Sequence, residues 1–205
     1  MARAREAGAT TSGLKPIAAG ASLTPEGLQN EDALALAEVS TVRLPYASRN
    51  PLCLESPIAP HVALSQRGQM CSVQQLLEAL GPALAEPADL TLIEGAGGWL
   101  VPLNPRETLA DFACALNAPV ILVVGMRLGC LNHAALTAAS IRAKGAQLAG
   151  WVANIIDPEM AALQASLETL IDSLETPCLG VVPYTQTPKA TDIARALPDL
   201  SQGLP

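Results

Sequence analysis

Leu90-Thr91-Leu92-Ile93-Glu94-Gly95-Ala96-Gly97-Gly98-Trp99 decides how this chain folds, because it is an apolar run that stops at a carboxylate and breaks into glycines. A short run rich in Leu and Ile without polar alternation predicts a strand buried on both faces, as in a parallel sheet. In open α/β sheets ligands bind beyond the carboxyl ends of the strands. Glu94 is therefore expected at the mouth of a site, with glycines that let backbone N–H groups approach a phosphate. Taken alone, the stretch is equally compatible with a glycine-rich turn after any buried strand.

Outward from this stretch, apolar runs and helical periods alternate. Thr10 to Ala18 reads as a strand interrupted by Lys15-Pro16, preceded by Arg3 to Ala7 as a last helical turn closed by Gly8. Asn30 caps a helix through Ala37, and Ser72 with Gln75 forms a capping box for a helix through Leu80 that bends at Gly81-Pro82. Four prolines between Val42 and Pro60 predict a surface excursion. Thr108 and Asp111 cap a helix through Leu116, and Pro119 to Val124 is a second buried strand. Asn132 opens a helix with Leu136 and Ala139 on one face. Leu148 to Ala153 and Cys178 to Val182 are further strands, Pro158 to Leu174 is helical by period, and Asp192 to Leu197 is a short last helix. This order predicts an α/β fold with a doubly wound, mostly parallel sheet in one domain over residues 1–205.

Composition narrows the function. Half of the 205 residues are hydrophobic but only Trp99, Trp151, Tyr46, Tyr184 and Phe112 are aromatic, so the core is aliphatic. A net charge of −7 speaks against a nucleic-acid surface, and the longest strongly apolar run, Val120 to Val124, is too short to span a bilayer. Five scattered cysteines without a C-x-x-C pair indicate free thiols and a cytoplasmic setting.

The strand ends supply candidate ligand groups: Lys15, Glu94, Gly125 to Asn132, Asn154 and Pro183-Tyr184, with Asp32 at a helix start. Two carboxylates and a lysine meet the needs of a magnesium–nucleotide site, namely hard oxygen ligands for the cation and a fixed positive charge for a transferring phosphate. Taken singly, Lys15 also fits a surface lysine and Asp32 a first-turn carboxylate favouring the helix dipole. Asn154 offers an amide to an adenine edge.

Five blocks then make a specific pattern: Lys15-Pro16-Ile17-Ala18-Ala19-Gly20; Asn30-Glu31-Asp32-Ala33; Glu94 to Trp99; Val123 to Ala134, which contains Gly125-Met126-Arg127-Leu128-Gly129-Cys130-Leu131-Asn132; and Gly150-Trp151-Val152-Ala153-Asn154. Together they resemble ATP-dependent dethiobiotin synthetase over nearly the whole chain. The resemblance implies a P-loop NTPase-like fold, a homodimer, and a cyclo-ligase that uses ATP, magnesium and carbon dioxide to close the ureido ring of dethiobiotin on 7,8-diaminopelargonic acid. It implies that Lys15 is catalytic and that Asp32 and Glu94 hold magnesium. Asp32, Glu94, Gly95, Ala96, Gly97, Asn154, Ile155, Pro183, Tyr184 and Thr185 would contact ATP, and Ala19, Gly129, Cys130, Leu131 and Asn132 the substrate.

Two departures accompany the resemblance. Ala19 stands where the family commonly has a serine, so only backbone contact remains there. No G-x-x-x-x-G-K-[ST] loop occurs; Gly8 and Gly13 have its glycine separation, but Leu14-Lys15-Pro16 follows. The first strand and phosphate loop of the family are thus expected to be missing from these residues, with poor MgATP affinity as the consequence. Alternatives from other classes are a catalytically impaired relative retained as a binding or dimer-forming module, and a partitioning-ATPase or amidotransferase-type relative.

Overall fold

A computed structural model describes residues 1–203. Two compact units divide the chain, Met1–Leu116 and Asn117–Pro205.

In the first unit, α1 (Ala2–Glu6) ends as its sequence predicts. Gly8, at φ +90°, donates to the Arg5 carbonyl, and Ala9 N–H donates to that of Ala4. This is the paired closure that a left-handed residue after a helix allows. There follow β1 (Thr11–Leu14), β2 (Ile17–Ala18), a hairpin of β3 (Ser22–Thr24) and β4 (Gly27–Gln29), and α2 (Glu31–Glu38). Next come α3 (Tyr46–Arg49), β5 (Leu52–Cys53), α4 (Pro60–Ser65), α5 (Val73–Leu84), β6 (Leu90–Ile93) and α6 (Leu109–Leu116). β1 pairs with β6 and β2 with β5, both parallel. A reciprocal clamp holds the start of the first pair, because Thr10 N–H and Oγ1 both donate to Asp89 Oδ2 while Asp89 N–H donates to Thr10 Oγ1. These bonds hold the Asp89 carboxyl below its ordinary pKa. Leu14, Ile17, Leu54, Leu76, Leu80, Leu103 and Phe112 form the core beneath.

Two expectations are corrected in this unit. β6 is half-buried rather than buried on both faces, with Thr91 exposed, because β1 is its sole strand neighbour among the described residues. The proline-rich segment is not a surface excursion, since it forms α3 and β5 and buries Arg49, Asn50 and Leu54. Arg49 donates to the Gly13 carbonyl, to Ser40 Oγ (2.8 Å) and to the Val42 carbonyl (3.4 Å), so distant backbone acceptors hold it inside. Burial, with the nearby charge of Arg43, pulls its pKa below the ordinary arginine value. α5 runs to Leu84 with Pro82 inside it.

The second unit comprises β7 (Val120–Met126), α7 (Cys130–Ala143), β8 (Leu148–Ile155), α8 (Leu163–Ser173), β9 (Cys178–Val182), α9 (Ala190–Ala194) and a 3-10 turn over Leu200–Gln202. Its parallel sheet has the order β7-β8-β9. Successive residues of β8 serve opposite faces: Trp151 and Ala153 pack with Ala134, Ala138 and Leu170, whereas Val152 packs with Leu179, Val182 and Ile193. Helices therefore cover both faces, as double winding requires. β7 is longer and less buried than expected, with Val123 61% exposed, because it is an edge of this sheet. α7 begins at Cys130, two residues before the expected Asn132, and buries Ala134, Ala138 and Ile141. Leu136 and Ala139, read as sharing one face, are both exposed.

Candidate active site

Lys15 follows β1 directly, and Pro16 ends that strand because it has no N–H to continue the ladder. Its backbone is held at both ends: Lys15 N–H donates to the Arg49 carbonyl (2.9 Å), and Asn50 Nδ2 donates to the Lys15 carbonyl (2.6 Å). Glu94 follows β6, and its N–H donates to the Leu14 carbonyl (2.9 Å), extending the β1/β6 ladder by one step. Asp32 lies in the first turn of α2, where Asn30 Oδ1 accepts from Asp32 N–H (3.1 Å) and Ala33 N–H (3.4 Å).

These three supports bring the side chains to one point. Lys15 Nζ donates to Glu94 Oε1 at 2.6 Å and to the Gly95 carbonyl at 2.8 Å, and forms an ion pair with Asp32 Oδ2 at 2.8 Å. Lys15 is only 4% exposed, whereas the carboxylate side chains are about half exposed, 54% for Asp32 and 46% for Glu94. Two negative charges face one positive charge, leaving the cluster net anionic toward solvent. Magnesium is commonly held by one or two carboxylates together with waters and substrate phosphates. Asp32 and Glu94 are the side chains of this cluster whose chemistry fits such an ion. No group of three acidic, histidine or cysteine side chains suited to a metal occurs among the described residues.

After Glu94 the chain turns back, with Gly98 N–H donating to the Ala96 carbonyl at 3.0 Å. Gly97 has φ +78°, and a Cβ there would stand 3.0 Å from Val101 Cγ2, so both conformation and space require glycine. Gly95 and Gly97 are exposed while Ala96 leans on the core. Ala19 is half-buried, and its carbonyl accepts from Asn30 Nδ2 (3.3 Å). Neither decoy glycine belongs to a phosphate loop. Gly8 closes α1, and Gly13 lies within β1, where a Cβ would stand 2.9 Å from both Leu36 Cβ and Met1 Sδ.

In the second unit, Asn154 lies on the middle strand in register with Gly125 and Val182, which places it at the carboxyl ends of three parallel strands. Ile155 ends β8, and Pro183, Tyr184 and Thr185 follow β9 as exposed residues. Gly129 precedes α7. Cys130 is 2% exposed and its N–H donates to the Arg127 carbonyl, so its side chain belongs to the core, while Leu131 and Asn132 are exposed. Sequence reasoning missed Tyr46, Arg49 and Asn50. Their signal was polar groups inside a proline-rich stretch, with nothing local to show which carbonyls they would meet.

A lysine bracketed by two carboxylates at strand ends, on parallel α/β architecture, goes together with a match of residues 1–190 to the AAA domain family model. They define the class as a P-loop NTPase-like α/β protein. Among curated relatives, the ATP-dependent dethiobiotin synthetase BioD of Cellvibrio japonicus is 50% identical over 98% of this chain and 87% of that protein. Those of Chromohalobacter salexigens (50% identical; 96% of this chain, 85% of that protein) and Pseudomonas aeruginosa strain UCBPP-PA14 (49%; 98% and 89%) match similarly. The chain belongs to the ATP-dependent dethiobiotin synthetase family, ligases of biotin biosynthesis. Among solved structures, the MinD cell division protein of Aquifex aeolicus aligns with 96% of this chain and 78% of its own at 16% identity and TM-score 0.46.

Proposed function

We propose that this protein makes dethiobiotin from 7,8-diaminopelargonic acid, carbon dioxide and ATP. One amine of the substrate adds to carbon dioxide, giving a carbamate and a proton. A carbamate oxygen attacks the γ-phosphorus of ATP, releasing ADP. The second amine then attacks the activated carbonyl carbon, closes the ureido ring and expels inorganic phosphate. The observation that carries this reading is the Lys15 ammonium held between Asp32, Glu94 and the Gly95 carbonyl.

Lys15 supplies a fixed positive charge for the carbamate and for the oxygens of the phosphoryl group in transfer. Asp32 and Glu94 hold magnesium, which when bound neutralises phosphate charge. The Gly95 to Gly97 turn lets backbone approach the nucleotide. Asn154, Ile155, Pro183, Tyr184 and Thr185 border the adenine. Ala19 through its backbone, and the Gly129 to Asn132 segment through the start of α7, receive the substrate, whose tail carboxylate suits a helix N-terminus.

The same reading makes the enzyme a cytoplasmic homodimer. Leu128, Leu131 and Leu136 are 92%, 38% and 62% exposed, an apolar set that a second copy of the chain would cover. Among the described residues no helix is long and apolar enough to cross a membrane. The test is Lys15→Met: ureido-ring formation should fall by about two to three orders of magnitude, as for loss of a preorganised transition-state donor. Turnover at the parental rate would refute the role of Lys15.

A further inference from the structure

We propose that Tyr46 is a positioning residue, whose hydroxyl fixes the spacing between Lys15 and Asp32 by tying the backbone at Lys15 to the N-cap of α2. This rests on the role given to Lys15 above. Asn30 N–H donates to Tyr46 Oη at 2.7 Å, and Tyr46 Oη is 2.9 Å from Asn50 Oδ1. Asn50 Nδ2 donates to the Lys15 carbonyl at 2.6 Å, and Asn30 Oδ1 caps Asp32 and Ala33. One hydroxyl thus joins two short chains of bonds, ending at Lys15 and at Asp32, whose side chains meet 2.8 Å apart.

The proton order is determined. A carbonyl can only accept, so Asn50 must present Nδ2 to Lys15 and Oδ1 to Tyr46. The phenol therefore donates to Asn50 and uses a lone pair for Asn30 N–H. Burial raises the Tyr46 pKa to about 12, and the Cys53 thiol, 3.6 Å away, adds to this, so the donor keeps its proton at neutral pH. Asn30 and Asn50 are 7% and 2% exposed, and water cannot readily replace the phenol between them. Asp32 Oδ2 is an ion-pair partner of the Lys15 ammonium, 2.8 Å away. Loosening α2 therefore moves a carboxylate that faces Lys15.

The test reads the lysine itself. The chain has three lysines, and Lys15→Met assigns its side-chain ammonium signal in heteronuclear NMR of the folded 205-residue chain. The parent should show one slowly exchanging ammonium. Tyr46→Phe should speed its exchange about tenfold, the order expected for losing one buried hydrogen bond. Ser72→Ala, which destabilises α5 at a distance, should leave it unchanged, separating positioning from mere loss of stability. Unchanged exchange in folded Tyr46→Phe overturns the proposal and leaves the role of Lys15 standing. A parent with no slow ammonium overturns the Lys15 cluster, and the functional reading with it. Should Tyr46→Phe fail to fold, ring-fluorinated tyrosine retains the hydroxyl and alters only its hydrogen-bond strength; a shifted Lys15 exchange rate supports the proposal and an unshifted one overturns it.

Discussion

Lys15, Asp32 and Glu94 divide the work of charge. The lysine is buried between two carboxylates that keep about half their surface exposed. Glu94→Gln keeps the shape and one acceptor oxygen but removes the charge. Magnesium-dependent turnover should drop by roughly a hundredfold or more with the thermal midpoint nearly unchanged, checked by steady-state kinetics beside calorimetric melting. Tyr46 gives a pH prediction. Its folded pKa of about 12 lies above the ordinary tyrosine value of 10.0, so folding favours the neutral phenol. That contribution is complete below about pH 10 and is lost as pH rises through about 12, because the unfolded chain releases the proton first. Phenolate absorbance should reveal Tyr46 ionising late, and denaturant melts should lose less stability over this window in Tyr46→Phe than in the parent.

At the scale of elements, caps were the most legible feature. The Ser72 hydroxyl accepts from Gln75 N–H (3.1 Å) while Gln75 Oε1 accepts from Ser72 N–H (2.9 Å), the capping box read from two letters three apart. Ser72→Ala should cost about 1 kcal/mol in equilibrium unfolding. Gly13→Ala, which drives a methyl against Leu36, should cost about 1–3 kcal/mol by overpacking. Asn30 and Gly8 were readable for the same reason: a cap is a local bargain between neighbouring groups. Exposure was less legible. The apolar runs of β6 and β7 announce strands but not how many neighbours each will have, so both were read as fully buried. α3 was not legible at all, because Arg49 and Asn50 satisfy the Gly13 and Lys15 carbonyls, 36 and 35 positions away. Proline frequency therefore masked buried structure. Of the candidate site, Lys15, Asp32 and Glu94 could be named from strand ends and a helix start, whereas the layer that holds them could not.

At the scale of the whole molecule, the proposed homodimer is tested on α7. Leu136→Glu places a charge on an already exposed position, so the fold should persist while sedimentation loses the proposed dimer. Family membership and the Lys15 cluster converge on one reaction, in which carbon dioxide becomes the ureido carbon. The most direct measurement supplies isotopically labelled carbon dioxide and 7,8-diaminopelargonic acid to the protein, and follows the label by mass spectrometry. The label should enter dethiobiotin only with ATP and magnesium present, and should all but vanish in Lys15→Met. Labelled dethiobiotin formed at the parental rate by Lys15→Met, or no labelled ring from the parent, would contradict the account.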